Sequence, residues 1–335
     1  MDSDTYDNTH RAFLQAFLAH SSLTFTAARP ILAAIQTVHD PERPTLPNDI
    51  TNEDFLAYIH TLNSAISSFD LEIRSAKPQI LSPSDRRHAR QSANNDDDTT
   101  SSASRDERIY ALVNASGDPI SQLATTYTPE ELAYIKRVLD AMFDTYNTTR
   151  AEVCAVTSIQ ASQLHKPPRG RESTVGSGQN QGGQAQGITM AQADRVRDGL
   201  VEEGWLVKSS RNYYSLSTRA LMELRGWLVD TYNEPADEEG EEGVERVKSC
   251  YACKEIVISG QRCPNRECLC RLHDFCTASF FQMQRSRTCP LCKAGWDDHS
   301  YVGERAVKGS DTGRRTTNGS RSTTNQTVES EDEDD

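Results

Sequence analysis

A chain of 335 residues has room for about two domains, yet only 36% of it is hydrophobic, so part of it is expected to lack a packed core. The net charge of −13 is concentrated in two places: EPADEEGEEGVE at 234–245 carries seven acidic residues and ESEDEDD at 329–335 carries six, which together equal the whole excess. The remainder is close to neutral, so overall acidity does not exclude nucleic-acid binding by a folded part, whereas the absence of a basic–apolar leader or of any apolar run near ~20 residues argues against secreted and membrane-spanning classes.

The first elements read as helices. HRAFLQAFLAH (10–20) places Phe13, Phe17 and Leu18 on one face, and ARPILAAIQTV (28–38) adds Ile31, Leu32 and Ile35. TNEDFLAYIHTLNSAISSF repeats Phe55, Ile59, Leu62, Ile66 and Phe69 at helical spacing behind Thr51 as N-cap. The period then changes: LEIRS (71–75) and RIYALVN (108–114) read as strands around a polar insertion at about 81–107, expected to be disordered. Three helices and a hairpin describe a winged helix over 8–120. Its stripe Phe13, Phe17, Phe55, Ile59, Leu62 is long enough to exceed what one hairpin covers, which would leave an apolar interface.

The same layout recurs over 121–232. TPEELAYIKRVLDAMF opens with a capping box, Thr128 and Glu131, with Pro129 at the first helical position. A short helix around SIQASQL follows, then a second flexible insertion at about 166–187. TMAQADRVRDGLVEEG carries Val196 and Leu200, WLVKSSRNYYSLS gives two strands around a polar turn, and TRALMELRGWLVDTY reads as one closing helix. Residues 233–248 read as an acidic linker and 300–335 as a disordered acidic tail. The expected fold class is mainly α with short β hairpins: tandem winged helices, then a zinc domain at 249–299.

Eight of the nine cysteines fall between 250 and 292, and Cys154 stands alone. Paired C-x-x-C spacings in a chain of this size read as metal sites and not as an extracellular disulfide framework, which points to a reducing compartment. Zinc takes four thiolate or imidazole ligands. Four pairs can be drawn: Cys250/Cys253, Cys263/Cys268, His273/Cys276 and Cys289/Cys292. In a cross-brace the first and third share one Zn2+ ion and the second and fourth share another. Cys268/Cys270 is also a legal second pair, leaving Cys263 spare; Cys263/Cys268 is preferred, with Cys270 read as a small buried or idle thiol. Among modules with this ligand order, a PHD finger usually has an aromatic residue two places before the seventh ligand, where this chain has Arg287. Pro290 directly after that ligand is typical of a RING.

Tandem winged helices ahead of such a module resemble the non-SMC element one family, the RING-like subunit of the SMC five–six complex. The resemblance is carried by HRAFLQAFLAH, RIYALVNASGDPISQLAT, EEGWLVKSSRNYYSLSTRALMEL, the spacing from Cys250 into SGQRC, RLHDFC and CPLC. It implies a nuclear RING-type E3 ubiquitin ligase subunit acting in DNA repair and recombination. Such a subunit pairs with a MAGE-type subunit and clasps a kleisin, and it reaches DNA through the complex. The family's zinc ligands carry over to the eight residues paired above. A ubiquitin-conjugating enzyme is expected to meet Ala252, Phe281, Pro290 and Lys293, with Phe280 and Phe281 able either to line its groove or to pack beneath the zinc sites. Ala252 departs from the branched apolar residue usual before the second ligand, so ligase activity is expected to depend on the partner. Two alternatives stand beside this one. The module could be a structural brace without ubiquitin transfer, or the winged helices could bind DNA through Arg195, Arg197, Lys208 and Arg211.

Polar insertions carry no core, and loop closure depends only weakly on length. Deleting 83–105 or 170–186 should therefore change unfolding free energy by less than about 1 kcal/mol. A drop in thermal midpoint of many degrees would show that the deleted segment packs.

Overall fold

The computed structural model describes residues 6–20, 22–80, 107–114, 126–167, 187–235 and 243–307. Both expected insertions, but for their edges, lie outside the described residues, as does the tail from 308.

The first winged helix consists of α1 (Asn8–Ala19), β1 (Leu23–Thr24), α2 (Phe25–His39), α3 (Asn52–Ile66), β2 (Leu71–Ala76) and β3 (Ile109–Asn114). Each helix begins where a side chain takes up a free backbone donor. Asp7 accepts from Thr9 and His10, Thr24 from Ala27, and Thr51 from Asp54, whose carboxylate returns to the Thr51 amide. β3 is the middle strand, antiparallel to both neighbours, with Ile73 opposite Leu112. The stripe expected to overflow its hairpin does not: Phe13, Phe17, Phe55, Ile59 and Leu62 are all buried. The three helices close on one another, and Tyr110 of β3 meets the Phe55 ring edge-on at 4.8 Å. Two side chains placed on the core face by period are exposed, Leu18 and Phe69. Leu18 lies one residue, and so about 100°, past Phe17, and Phe69 falls in a 3-10 turn where the helical period has ended.

The second winged helix consists of α4 (Pro129–Asp140), β4 (Val156–Thr157), α5 (Ser158–Gln163), α6 (Met190–Glu202), β5 (Leu206–Lys208) and β6 (Tyr213–Leu216), with sheet order β4-β6-β5. The closing segment is not one helix. It divides at Leu224 into α7 (Thr218–Glu223) and α8 (Arg225–Tyr232). Ala220 and Leu221 of α7 pack into the second core with Leu228 and Tyr232 of α8, and Met222 of α7 also joins Ala111 and Val113 of β3 in a seam between the winged helices.

The segment expected as a linker over 233–248 is docked where it is described. β7 (Asn233–Glu234) pairs with β8 (Val244–Glu245), and the Asn233 amide brackets the backbone of buried Val247, donating to its carbonyl at 2.9 Å and accepting from its N–H at 2.8 Å. The zinc module holds β9 (Gly260–Arg262), β10 (Arg271–Leu272), α9 (Asp274–Gln284) and β11 (Tyr301–Val302). The last strand lies where the tail was expected to begin; it pairs with β9 and buries Val302, so the packed chain continues past 300. The apolar cores of the second winged helix and the zinc module are one continuous cluster.

Polar groups fix how the two meet. Glu152, only 4% exposed, receives Arg271 Nε at 2.6 Å, and Lys248 Nζ and Arg262 Nη1 approach the same carboxylate at 3.1 and 3.4 Å. Burial opposes ionisation of Glu152, but the Arg271 hydrogen bond and the charges of Arg271, Lys248 and Arg262 outweigh it and bring the carboxyl down to about 2. Arg271, 1% exposed, also donates from Nη1 to the carbonyls of Cys268 and Cys270 at 2.6 and 2.8 Å. Removing one member of such a pair strands the other charge in the interior. Glu152→Ala should cost about 3–5 kcal/mol in chemical denaturation, and a change below about 1 kcal/mol would show that water or a rearranged side chain replaces the carboxylate.

Candidate zinc centre

Two turns of the same backbone design present the ligands. At the first, Cys250 N–H donates to the Glu255 carbonyl at 2.7 Å and Lys254 N–H to the Cys250 carbonyl at 2.9 Å. At the second, Cys289 N–H donates to Ala294 O at 2.8 Å and Lys293 N–H to Cys289 O at 3.0 Å. Lys254 and Lys293, each directly after the second cysteine of its turn, adopt left-handed backbone with φ of 65° and 61°. The turn thus curls tightly enough for both thiols to face one point.

The ligand atoms gather in two groups, Cys250, Cys253, His273 and Cys276 in one and Cys263, Cys268, Cys289 and Cys292 in the other, each with all its ligand atoms within 4.8 Å of one another. Cys253 Sγ lies 3.2 Å and Cys276 Sγ 3.9 Å from His273 Nδ1; Cys263 and Cys292 sulfurs are 3.4 Å apart, and Cys268 and Cys289 sulfurs 3.6 Å. Thiolates about 2.3 Å from a shared ion in a tetrahedron would be roughly 3.8 Å apart. The pairs alternate along the chain, first with third and second with fourth, and seven thiols with one imidazole form a donor set suited to zinc. The residues fit two zinc ions.

The surroundings orient the one imidazole. His273 Nε2–H donates to the Ile256 carbonyl at 3.1 Å, which leaves Nδ1 toward the sulfurs. Phe275 stacks on its ring at 4.7 Å. Gly260 is required where β9 passes β10, since a Cβ there would lie 2.3 Å from the Leu272 carbonyl oxygen. Cys270 belongs to neither group. It is buried beside Cys289, and burial first, then the nearby Cys289, pushes its thiol well above the usual range.

Of the residues expected to meet a conjugating enzyme, Ala252 and Lys293 are exposed on the two ligand turns, and Pro290 is half-buried with its carbonyl accepting from Lys293 Nζ at 3.0 Å. Phe281 is not available to a partner. It is 7% exposed, with the Trp296 ring 5.2 Å and the Phe280 ring 5.4 Å away. α9 runs against the sheet, so only one of two adjacent aromatics can face outward; Phe280 is the half-buried one, packed edge-on against Tyr251 at 5.7 Å. Sequence reasoning passed over Leu291 and Met283, which are exposed apolar side chains beside these positions. The signal was present for Leu291, an apolar residue inside CPLC.

The basic residues of the second wing are largely committed. Arg197 is buried, pairs with Asp194 and donates to Ser162 Oγ at 2.8 Å; Arg211 pairs with Glu304 at 3.1 Å; Lys208 sits over the Tyr214 ring at 5.2 Å. Arg195 is exposed.

Comparison with known proteins agrees with this arrangement. A family model described as the Nse1 non-SMC component of the SMC5-6 complex matches residues 10–224, and one described as a RING-like domain matches residues 250–292. The non-structural maintenance of chromosomes element 1 homolog of Homo sapiens is 23% identical over 289 residues, covering 86% of this chain and 84% of that one. Its counterpart in Schizosaccharomyces pombe is 21% identical over 248 residues, covering 73% and 78%. A solved chain titled as part of an Nse1-Nse3-Nse4 complex has the same fold, with a TM-score of 0.59 at 20% identity over 88% of this chain and 98% of that one.

Metal analysis of purified protein should return two zinc ions per chain. Cys268→Ser should release one of them, whereas Cys270→Ser should keep both and lower stability by about 1–3 kcal/mol for a buried polar replacement. Retention of both ions by Cys268→Ser and loss by Cys270→Ser would exchange the two roles.

Proposed function

The chain belongs to the Nse1 family, the non-SMC component of the SMC5-6 complex, and from that premise we propose that it is the RING-type E3 ubiquitin ligase subunit of such a complex, paired with a MAGE-type subunit and a kleisin and acting in the nucleus in DNA repair and recombination. The observation that carries this reading is the interleaved pair of four-ligand clusters, with the exposed turn bearing Ala252 and the exposed turn bearing Lys293 built to one backbone design.

A ligase of this kind holds no nucleophile of its own. Zinc, bound by Cys250, Cys253, His273 and Cys276 and by Cys263, Cys268, Cys289 and Cys292, supplies folding free energy to a module too small to fold on its core. The chain's contribution to the reaction is to fix a charged conjugating enzyme so that its thioester meets a substrate lysine, which is catalysis by positioning. Ala252 and Pro290 would offer the apolar contact and Lys293 a cation at the rim. The contact at Ala252 is small, so the fixed pose must come from elsewhere, and a partner on the winged helices supports it. The committed state of Arg197, Lys208 and Arg211 favours DNA contact through the assembled complex over a groove-reading role for this chain alone.

The reading is checked by ubiquitin transfer with one conjugating enzyme, using the chain alone and the chain reconstituted with its MAGE-type partner. Transfer should be about tenfold or more faster with the partner, and Lys293→Asn, which tolerates the left-handed turn, should lower it while keeping both zinc ions. Equal rates with and without the partner would remove partner dependence. No transfer by either, with zinc intact, would leave the module a structural brace.

A further inference from the structure

Gln79 leaves the first winged helix three residues beyond β2 and ends on the zinc module. Its Oε1 accepts from the backbone N–H of Ile258 at 2.9 Å and of Ser259 at 3.2 Å, and its Nε2 donates to the Ile256 carbonyl at 2.6 Å. That carbonyl is the same one that takes the Nε2–H of His273 at 3.1 Å. The amide therefore reads the 256–259 backbone as an adjoining strand would, with one acceptor and one donor. Ile256 and Ile258 are buried, so a lost partner there is not easily replaced by water.

Neighbouring residues converge on the same cluster. Ile80 packs against the joint core of the second winged helix and the zinc module. The Lys77 ammonium lies 5.6 Å from the centre of the Phe275 ring, which stacks on His273. The loop that Gln79 holds begins at the turn bearing Ala252. Between Gln79 and Ala252 lies a cavity of about 500 Å³, also bordered by Met222 and Phe280, in place of close packing. The side chains of Ile256, Val257 and Ile258 pack into the joint core, and the Gln79 hydrogen bonds tie their backbone to the first winged helix.

We propose that Gln79 is a positioning residue that couples the stance of the first winged helix to the His273 metal cluster and, through it, to the exposed turn bearing Ala252. A shift of the hairpin moves the amide, the amide moves the Ile256 carbonyl, and the carbonyl sets the angle of the His273 ring. A partner seated on the first winged helix thereby acts on the ligase face without touching it. The consequence for ubiquitin transfer rests on the ligase reading above; the consequence for the metal cluster does not.

The test uses the full zinc-loaded chain and its Gln79→Ala and Gln79→Glu variants, with zinc release to a chromogenic chelator and amide exchange at Ile258 and Ser259 as readouts. In Gln79→Ala one zinc ion should leave about tenfold faster, the size usual for loss of a group that orients a metal ligand, the other should leave at the original rate, and both amides should exchange faster. Gln79→Glu keeps an acceptor but cannot donate to Ile256, so amide protection should return while fast release of the one ion persists. Unchanged release and exchange in Gln79→Ala would overturn the proposal. Equal acceleration of both ions in both variants would also overturn it, since that is general unfolding. In ubiquitin transfer, Gln79→Ala should narrow the ratio between the partner-bound and lone chain. Absence of transfer by the unsubstituted pair counts against the ligase reading, and the zinc and exchange results still decide the coupling.

Discussion

The arrangement of this protein turns on one buried charge pair. Glu152 enters the interior from the loop ahead of β4, and Arg271 meets it from β10 of the zinc module while its remaining nitrogen takes the carbonyls of Cys268 and Cys270. A buried ion pair adds little net stability, because desolvation offsets most of the attraction, but it accepts very few geometries. Here the geometry joins three things at once: the second winged helix, the strand beside it, and the peptide that carries a ligand of the second cluster. Glu152 also accepts at its backbone, from Gly303 N–H at 2.7 Å, so the strand after the last ligand is held to the same point.

With that joint in place, the zinc module is not a separate bead on a linker. Its apolar residues continue the core of the second winged helix, and the described chain leading into it is held by Asn233 on Val247 and by Arg246, which reaches Asp144 at 2.9 Å. A module of this length relies on metal for folding free energy, yet metal alone sets only its internal shape. The docking contacts set its direction, and under the proposed ligase reading direction is the quantity that catalysis by positioning has to control.

The first winged helix is a more independent body. Its aromatic stripe closes on itself, and the large apolar side chains left exposed include Leu18, Val38, Leu46 and Phe69. Among the described residues, it meets the rest at a seam around Met222 and along the segment that carries Lys77, Gln79 and Ile80. Connections of this kind can transmit a change of pose, which the larger shared core of the other two bodies resists.

Much of the local information was legible in the sequence, Leu18 and Phe69 excepted. Helix starts at Thr51 and Thr128 are written by side chains that bond within three residues, the two winged helices by the change from helical to alternating period, and the ligand turns by C-x-x-C spacing, since each depends on neighbours along the chain. Tertiary contacts decided the rest. Cys268 and Cys270 follow Cys263 by five and seven residues and both make legal ligand spacings, and the tertiary structure places one thiol in the cluster and the other in the core. Phe280 and Phe281 are adjacent aromatics on one helix, and the position of Trp296 chose which would be buried. The single helix expected over 218–232 divides at Leu224, with α7 meeting both the second core and, through Met222, the first winged helix, and Gln79 carries no local mark of a partner 177 residues away. Each of these outcomes is set by tertiary contacts, so the neighbours along the sequence do not decide it.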